Sequence, residues 1–217
     1  MDKRLKLMGM AAGLILSLSV ASTAEADNIS VGDTVTFEDG PGDTGGGAFY
    51  LTVTGNPSER FITFCLQMTR YSDFTSPFVV AGISEFAVSD PDDRGGDING
   101  RDYLSSETAW LYTQLRSGAF GDPSALSEDI ANAFQWAVWV LEGESNEVPL
   151  NSWSASYYAL ANQFIANATA AVAGGSFSGT GEVRVLNLEG PGGYDAQDQL
   201  VLINTPEPAS LALIASG

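Results

Sequence analysis

The chain has no histidine and a single cysteine in 217 residues. Without histidine there is no Ser-His-Asp or Cys-His catalysis and no His-ligated metal. Lysine is nearly absent too. Lys3 and Lys6 are the only two, and both lie in an N-terminal stretch that reads as a leader. A chain stripped of that leader has one ordinary amine, its own N-terminus. Two explanations fit: a composition that prefers arginine and acidic residues, or a protein that avoids carrying amine nucleophiles. Basic residues number 9 against 27 acidic ones, a net charge of −18. Such a surface repels nucleic acid and anionic membranes, which excludes both as principal partners.

Apolar residues make up 44% of the chain, enough for one core, and the length suits one domain of ordinary size. Residues 1–26 have the layout of a secretory signal peptide. Lys3, Arg4 and Lys6 form a basic start, Leu7–Val20 an apolar run, and Ala24-Glu25-Ala26 a small-residue cleavage region. The run is short for a transmembrane helix. The protein is therefore expected to be exported.

The body reads as strands, then helices, then strands. Val31, Val35 and Phe37 alternate with polar residues, Asp39–Gly47 predicts a glycine-rich turn, and Ala48–Thr54 predicts a second strand. Asn56-Pro57-Ser58 predicts a turn, Arg60–Met68 a strand carrying Cys65, and Pro77–Ile83 another strand. Asp90–Asp102 is an acidic loop. Asp93, Asp97 and Asn99 could supply oxygen to calcium, but the loop fits no EF-hand register. Asp and Gly dominate turns for backbone reasons, so a solvated turn is expected and no metal. Three helices follow, over Ser106–Ser117, Ser127–Glu142 and Ser154–Ala173, with Ser127 as N-cap of the second and Gly143 as its stop. Glu182–Leu188 and Gln199–Ile203 return to strand. The order predicts an α+β domain, a β-sandwich or barrel with an inserted three-helix subdomain. Its bounds are 27–204, divided as β 27–90, helical 104–173 and β 180–204.

Cys65 poses the chemical question. Exported proteins meet oxidising conditions in which cysteines pair, and a lone cysteine has no partner within the chain. It can be an inert buried residue, a link between two chains, a redox-sensitive thiol, or bonded to something other than sulfur. A conventional Asp/Glu hydrolase is a further class, but no carboxylate pairing is readable.

Two motifs bear on the choice. Phe64-Cys65-Leu66-Gln67 and Phe134-Gln135-Trp136-Ala137-Val138-Trp139 resemble the paired motifs of bacterial surface thioester domains. In that family an aromatic-Cys strand motif and a Gln-x-Ala-Ile-Trp helix motif join cysteine sulfur to glutamine carbonyl. The order of these motifs, with Thr108–Gln114 between them and Ala196–Leu202 after them, also resembles a group of PEP-CTERM proteins with a Phe-Cys-Leu-Glu motif. Pro206-Glu207-Pro208 and the apolar residues after it resemble the PEP-CTERM sorting signal itself, here in incomplete form over 205–217. Gln67 departs from that group, standing where an acid is usual; Phe134 and Val138 depart from the thioester-domain motif.

The resemblance implies an internal Cys65–Gln135 thioester, with Phe64, Trp136 and Trp139 as supporting, water-excluding neighbours. It implies a single-use acyl donor rather than a turnover enzyme, with no cofactor. It implies a partner that offers a protein amine or a polysaccharide hydroxyl, and an exosortase-type sorting enzyme. The expected place is the outer surface or extracellular matrix of a Gram-negative bacterium, in adhesion or biofilm. The alternative is a structural matrix or exopolysaccharide-associated protein with Cys65 inert. Ala131, Gln135 and Trp139 fall on one helical stripe, so the small Ala131 would let the Cys65 strand approach while Trp139 covers the bond.

Overall fold

The computed structural model describes residues 24–43, 46–88, 99–146 and 155–204. The expected signal peptide, apart from its last three residues, the sorting-signal segment 205–217, and Asp93 and Asp97 of the acidic loop lie outside the described residues.

Six antiparallel strands form the main sheet: β1 (Thr34–Asp43), β2 (Gly46–Val53), β3 (Asn56–Thr63), β4 (Phe78–Ser84), β7 (Val183–Glu189) and β8 (Gln199–Leu202). Their order is β3-β2-β1-β4-β7-β8. The outer two strands come together at one end. Cys65, just past β3, forms an isolated antiparallel bridge with Gln199 of β8. Leu200 N–H donates to the Phe64 carbonyl (3.0 Å) and Leu66 N–H to that of Asp198 (3.2 Å). The sheet is thus a nearly closed barrel, and Cys65 lies on its seam. A two-stranded ribbon, β5 (Phe86–Val88) with β6 (Arg101–Tyr103), leads into the helices α1 (Ser106–Arg116), α2 (Glu128–Leu141) and α3 (Ala155–Ala173). The α+β barrel with three inserted helices matches the expected class.

Side-chain alternation makes two cores. Val35 and Phe37 of β1, Leu51 and Val53 of β2, Phe61, Phe78, Val80, Leu186, Leu188 and Val201 pack together inside the barrel. Ile62, Phe64, Val183, Val185, Leu200 and Leu202 lie with the helices in the second core. Their partners there include Leu111, Tyr112, Phe134, Ala137 and Phe164. This explains the imperfect alternation of β7 in the sequence: both of its faces are buried, so apolar residues occur at both parities.

Several local expectations are corrected. The glycine-rich Asp39–Gly47 segment is not simply a turn. β1 continues to Asp43, paired Gly42↔Gly47 and Asp43↔Gly46, with a register shift between Asp39 and Gly42. Gly40 is required there by close approach, since a Cβ would stand 2.5 Å from the Ala48 carbonyl oxygen. Asn56-Pro57-Ser58 is not a turn either; Thr54-Gly55 turns the chain, with Gly55 at φ 86°. Pro57 falls near the start of β3, at one end of the six-strand order, where its missing N–H is tolerated. The Cys65 strand is shorter than expected. Regular pairing with β2 ends at Thr63, and beyond it the Cys65 bridge to Gln199 of β8 takes over.

Both caps of the middle helices follow side-chain chemistry. Ser105 accepts from Thr108 N–H, and Ser127 accepts from Ile130 N–H, as expected of that serine. The N-terminal segment is pinned by a buried ion pair. Arg116 donates to both carboxylate oxygens of Asp27 (2.7 and 2.8 Å), and Leu202 N–H donates to the same carboxylate (3.0 Å).

Candidate functional site

α2 carries Gln135 two turns in from its Ser127 cap and rests on the barrel near the seam. Ala131, one turn before, is fully buried and leaves no bulk between helix and strand. Asn132 anchors the helix by accepting from Asp43 N–H (2.9 Å). Phe64 and Phe134 face each other with ring centroids 4.3 Å apart. On the other side Tyr112 of α1 donates to the Ile62 carbonyl (2.8 Å), and Thr63 Oγ1 donates to that of Leu200 (2.6 Å). These contacts fix both members of the pair before any bond between them is considered.

Cys65 and Gln135, seventy residues apart in sequence, meet directly. The Cys65 N–H donates to Gln135 Oε1 at 3.1 Å, and the Cys65 thiol lies 3.2 Å from the same oxygen. Gln135 Nε2 donates to the Cys65 carbonyl at 2.8 Å. The carboxamide is held at both ends by one residue's backbone while that residue's sulfur touches it. Both side chains are buried, Gln135 completely. A sulfur held in contact with a carbonyl in a dry site is the arrangement acyl transfer requires. The Cys65 N–H is, moreover, already aimed at the oxygen that would gain charge in a tetrahedral intermediate.

Burial pushes the Cys65 thiol well above its ordinary range. The indole N–H of Trp139 works against that shift, and the charge of Glu144 adds to it. Among the described residues Trp139 Nε1 is buried and makes no hydrogen bond of close geometry, so its pull on the sulfur is a looser one. A donor left in that state beside the sulfur is placed to stabilise a thiolate when one forms. Trp136 packs edge-on against Trp139 at 5.0 Å between ring centroids and is itself partly buried. All five residues singled out from the sequence, Cys65, Gln135, Phe64, Trp136 and Trp139, therefore gather in one region.

Gln67 bonds to other partners than the Cys65–Gln135 pair. It is buried and donates through Nε2 to the Val88 carbonyl (2.7 Å), tying the Cys65 loop to β5. Asp198 N–H approaches its Oε1 (3.4 Å), and Gln197 Nε2 donates to its backbone carbonyl (2.9 Å). Position 67 in this chain is a strut. Sequence reasoning missed three buried acids around the site. Asp198 accepts from Leu188 N–H, Val88 N–H and Asn187 Nδ2, and burial pushes its carboxyl up to about 7. Glu142 accepts from Ser105, and burial likewise raises it to about 7. Glu144 accepts from Met68 N–H at 2.8 Å. The first two buttress loops; Glu144 reaches the Cys65 loop itself. Their only sequence signal is an acid embedded in an apolar stretch, which does not say what it faces.

No family profile matches the chain, and no curated protein matches it. Among solved structures it is similar to the N-terminal thioester domain of fibronectin-binding protein SfbI from Streptococcus pyogenes, at 13% identity and a TM-score of 0.50. The likeness spans 81% of this chain and 95% of that one. The fold is that of a thioester domain. At that identity the likeness speaks for the architecture. The pairing of Cys65 with Gln135 is an observation of this chain's own geometry.

Proposed function

We propose that this is an exported surface protein whose Cys65 and Gln135 condense to an internal thioester that then captures a partner covalently. The observation that carries the reading is the two-ended clamp on the Gln135 carboxamide with the Cys65 sulfur in contact. Sulfur adds to the carboxamide carbon, the C–N bond breaks, and ammonia departs. Expelling ammonia is uphill in free solution; the fold supplies the effective molarity and the dry surroundings that favour it. An external amine or hydroxyl later attacks the carbonyl, gives an amide or ester on Gln135, and returns the Cys65 thiol. The event happens once per chain.

Three features support the wider setting. The leader, the Pro206-Glu207-Pro208 segment and the acidic surface fit an exported protein handled by an exosortase-type enzyme on a Gram-negative surface or in its matrix. The similar SfbI domain belongs, by its name, to a fibronectin-binding protein, which supports an adhesive role. The scarcity of lysine also fits. A leader cut after Ala26 would leave Asp27 as the N-terminus, and its nitrogen donates to the Leu202 carbonyl (2.6 Å) while its carboxylate is held by Arg116. The one amine of such a chain is fixed in place rather than free to attack.

Intact mass of the processed protein tests this. Thioester formation removes ammonia, so a deficit of about 17 Da is expected. Cys65→Ala and Gln135→Ala should each restore full mass, and methylamine should add to the wild type alone. The buried, firmly protonated state of the Cys65 thiol also fits an inert structural cysteine. A full-mass wild type unreactive to methylamine would establish that second reading instead.

A further inference from the structure

Glu144 is a buried acid that the chemistry above leaves unused. α2 ends at Leu141, and Gly143, at φ 78°, turns the chain back under the helix. Glu144 follows at once, 1% exposed, and its Oε2 accepts from Met68 N–H at 2.8 Å, three residues past Cys65. The Cys65 loop and the end of the Gln135 helix are thus joined through this one side chain. A neutral amide would accept the same N–H. The charge of Glu144 also acts on the Cys65 thiol.

We propose that Glu144 carries the proton of the Cys65–Gln135 reaction, a role that rests on the thioester reading. When the bond forms, the Cys65 S–H proton passes to the Glu144 carboxylate, directly or through one water, as sulfur bonds to the Gln135 carbonyl carbon. Glu144 then returns that proton to the departing nitrogen, which leaves as ammonia. When an amine attacks, its N–H proton passes to Glu144, the C–S bond breaks, and the proton is handed to the Cys65 sulfur. Glu144 is the same acid before and after each step. The acid absent at position 67 is thereby supplied from the end of the helix that carries the glutamine.

The test compares wild type, Glu144→Gln and Glu142→Gln as processed chains. It follows the rate of methylamine incorporation, the thioester fraction by intact mass, and the unfolding midpoint. Glu144→Gln keeps an acceptor for Met68 N–H, and the midpoint separates a loss of fold from a loss of rate. Its rate should fall by about 100-fold or more, the usual yield of a positioned acid–base group, or the thioester should fail to form. Glu142→Gln, the neighbouring buried acid, should react at the wild-type rate. A Glu144→Gln rate equal to wild type overturns the proposal and leaves the thioester reading standing. A wild type without the mass deficit overturns both. Should Glu144→Gln not fold, Glu144→Asp supplies the measurement. It draws the carboxyl back by one methylene, and a wild-type rate there also overturns the role.

Discussion

The barrel interior and the layer between barrel and helices are both buried, yet they are built from different material. The interior is aliphatic and aromatic: Val35, Phe37, Leu51, Phe78, Val80 and Leu188, with Phe37 and Phe78 edge-to-face at 5.2 Å. Around the seam and under the helices, the apolar residues share their space with Thr63, Gln67, Gln135, Glu142, Glu144, Asp198 and Gln199, all buried. Buried polar groups cost free energy unless they are hydrogen-bonded. Those near the seam are used to hold backbone turns and to place one sulfur against one carboxamide. The interior therefore supplies stability, and the seam spends some of it on geometry.

The sharpest way to break this contrast is to damage the interior alone. Phe78→Ala should lower the unfolding free energy by roughly 3–5 kcal/mol, as large aromatic truncations in packed cores do. Denaturant titration measures it. The folded fraction should keep the same mass deficit as the wild type, because Phe78 packs in the barrel interior and the aromatic neighbours of the clamp pack in the other core. A lost deficit at full folding would mean that the two regions are not separable.

A second prediction uses the acids. Glu142 and Asp198 have folded-state values raised to about 7, above the ordinary carboxyl range. The native protein therefore holds protons that the unfolded chain releases. Their contribution to stability is present at low pH and is lost as pH rises from about 4 to about 7. The melting temperature should be higher at pH 5 than at pH 8, and repulsion across the acidic surface adds in the same direction. Glu142→Gln should remove on the order of 3 kcal/mol of that pH dependence. The reverse trend would show that the seam acids are ionised at no cost and that the two cores do not differ in this respect.

The smallest effect concerns Gln67. Replacing it by Glu removes the donor to the Val88 carbonyl unless the new carboxyl is protonated, at a cost of about 1–3 kcal/mol. The reaction with methylamine should not accelerate. A faster reaction would return position 67 to the chemistry and weaken the division between strut and site.

Much of the architecture was legible along the chain. Ser127 before Glu128 and Asp129, and Gly143 after Leu141, bracket α2 by capping chemistry that acts within a few residues. The errors fell where a distant strand decides. Gly40 reads as a turn residue, but the Ala48 carbonyl requires it inside a sheet. Pro57 reads as a turn signal, but its place near the start of β3 accepts it. β7 alternates poorly because it is covered on both faces, and no local pattern says which side a strand will be covered on.

The site divides in the same way. The sequence by itself determined which cysteine and glutamine are available to meet, their aromatic neighbours and the scarcity of lysine, since each is a matter of which residues are present and of helical spacing. Only the tertiary structure decided that the barrel closes at Cys65, that the Cys65 backbone grips the Gln135 carboxamide, and that an acid after Gly143 reaches the same loop. These are contacts across 70 or more residues. Their energy comes from closing a sheet and burying a helix against it, which no short stretch of chain can do alone.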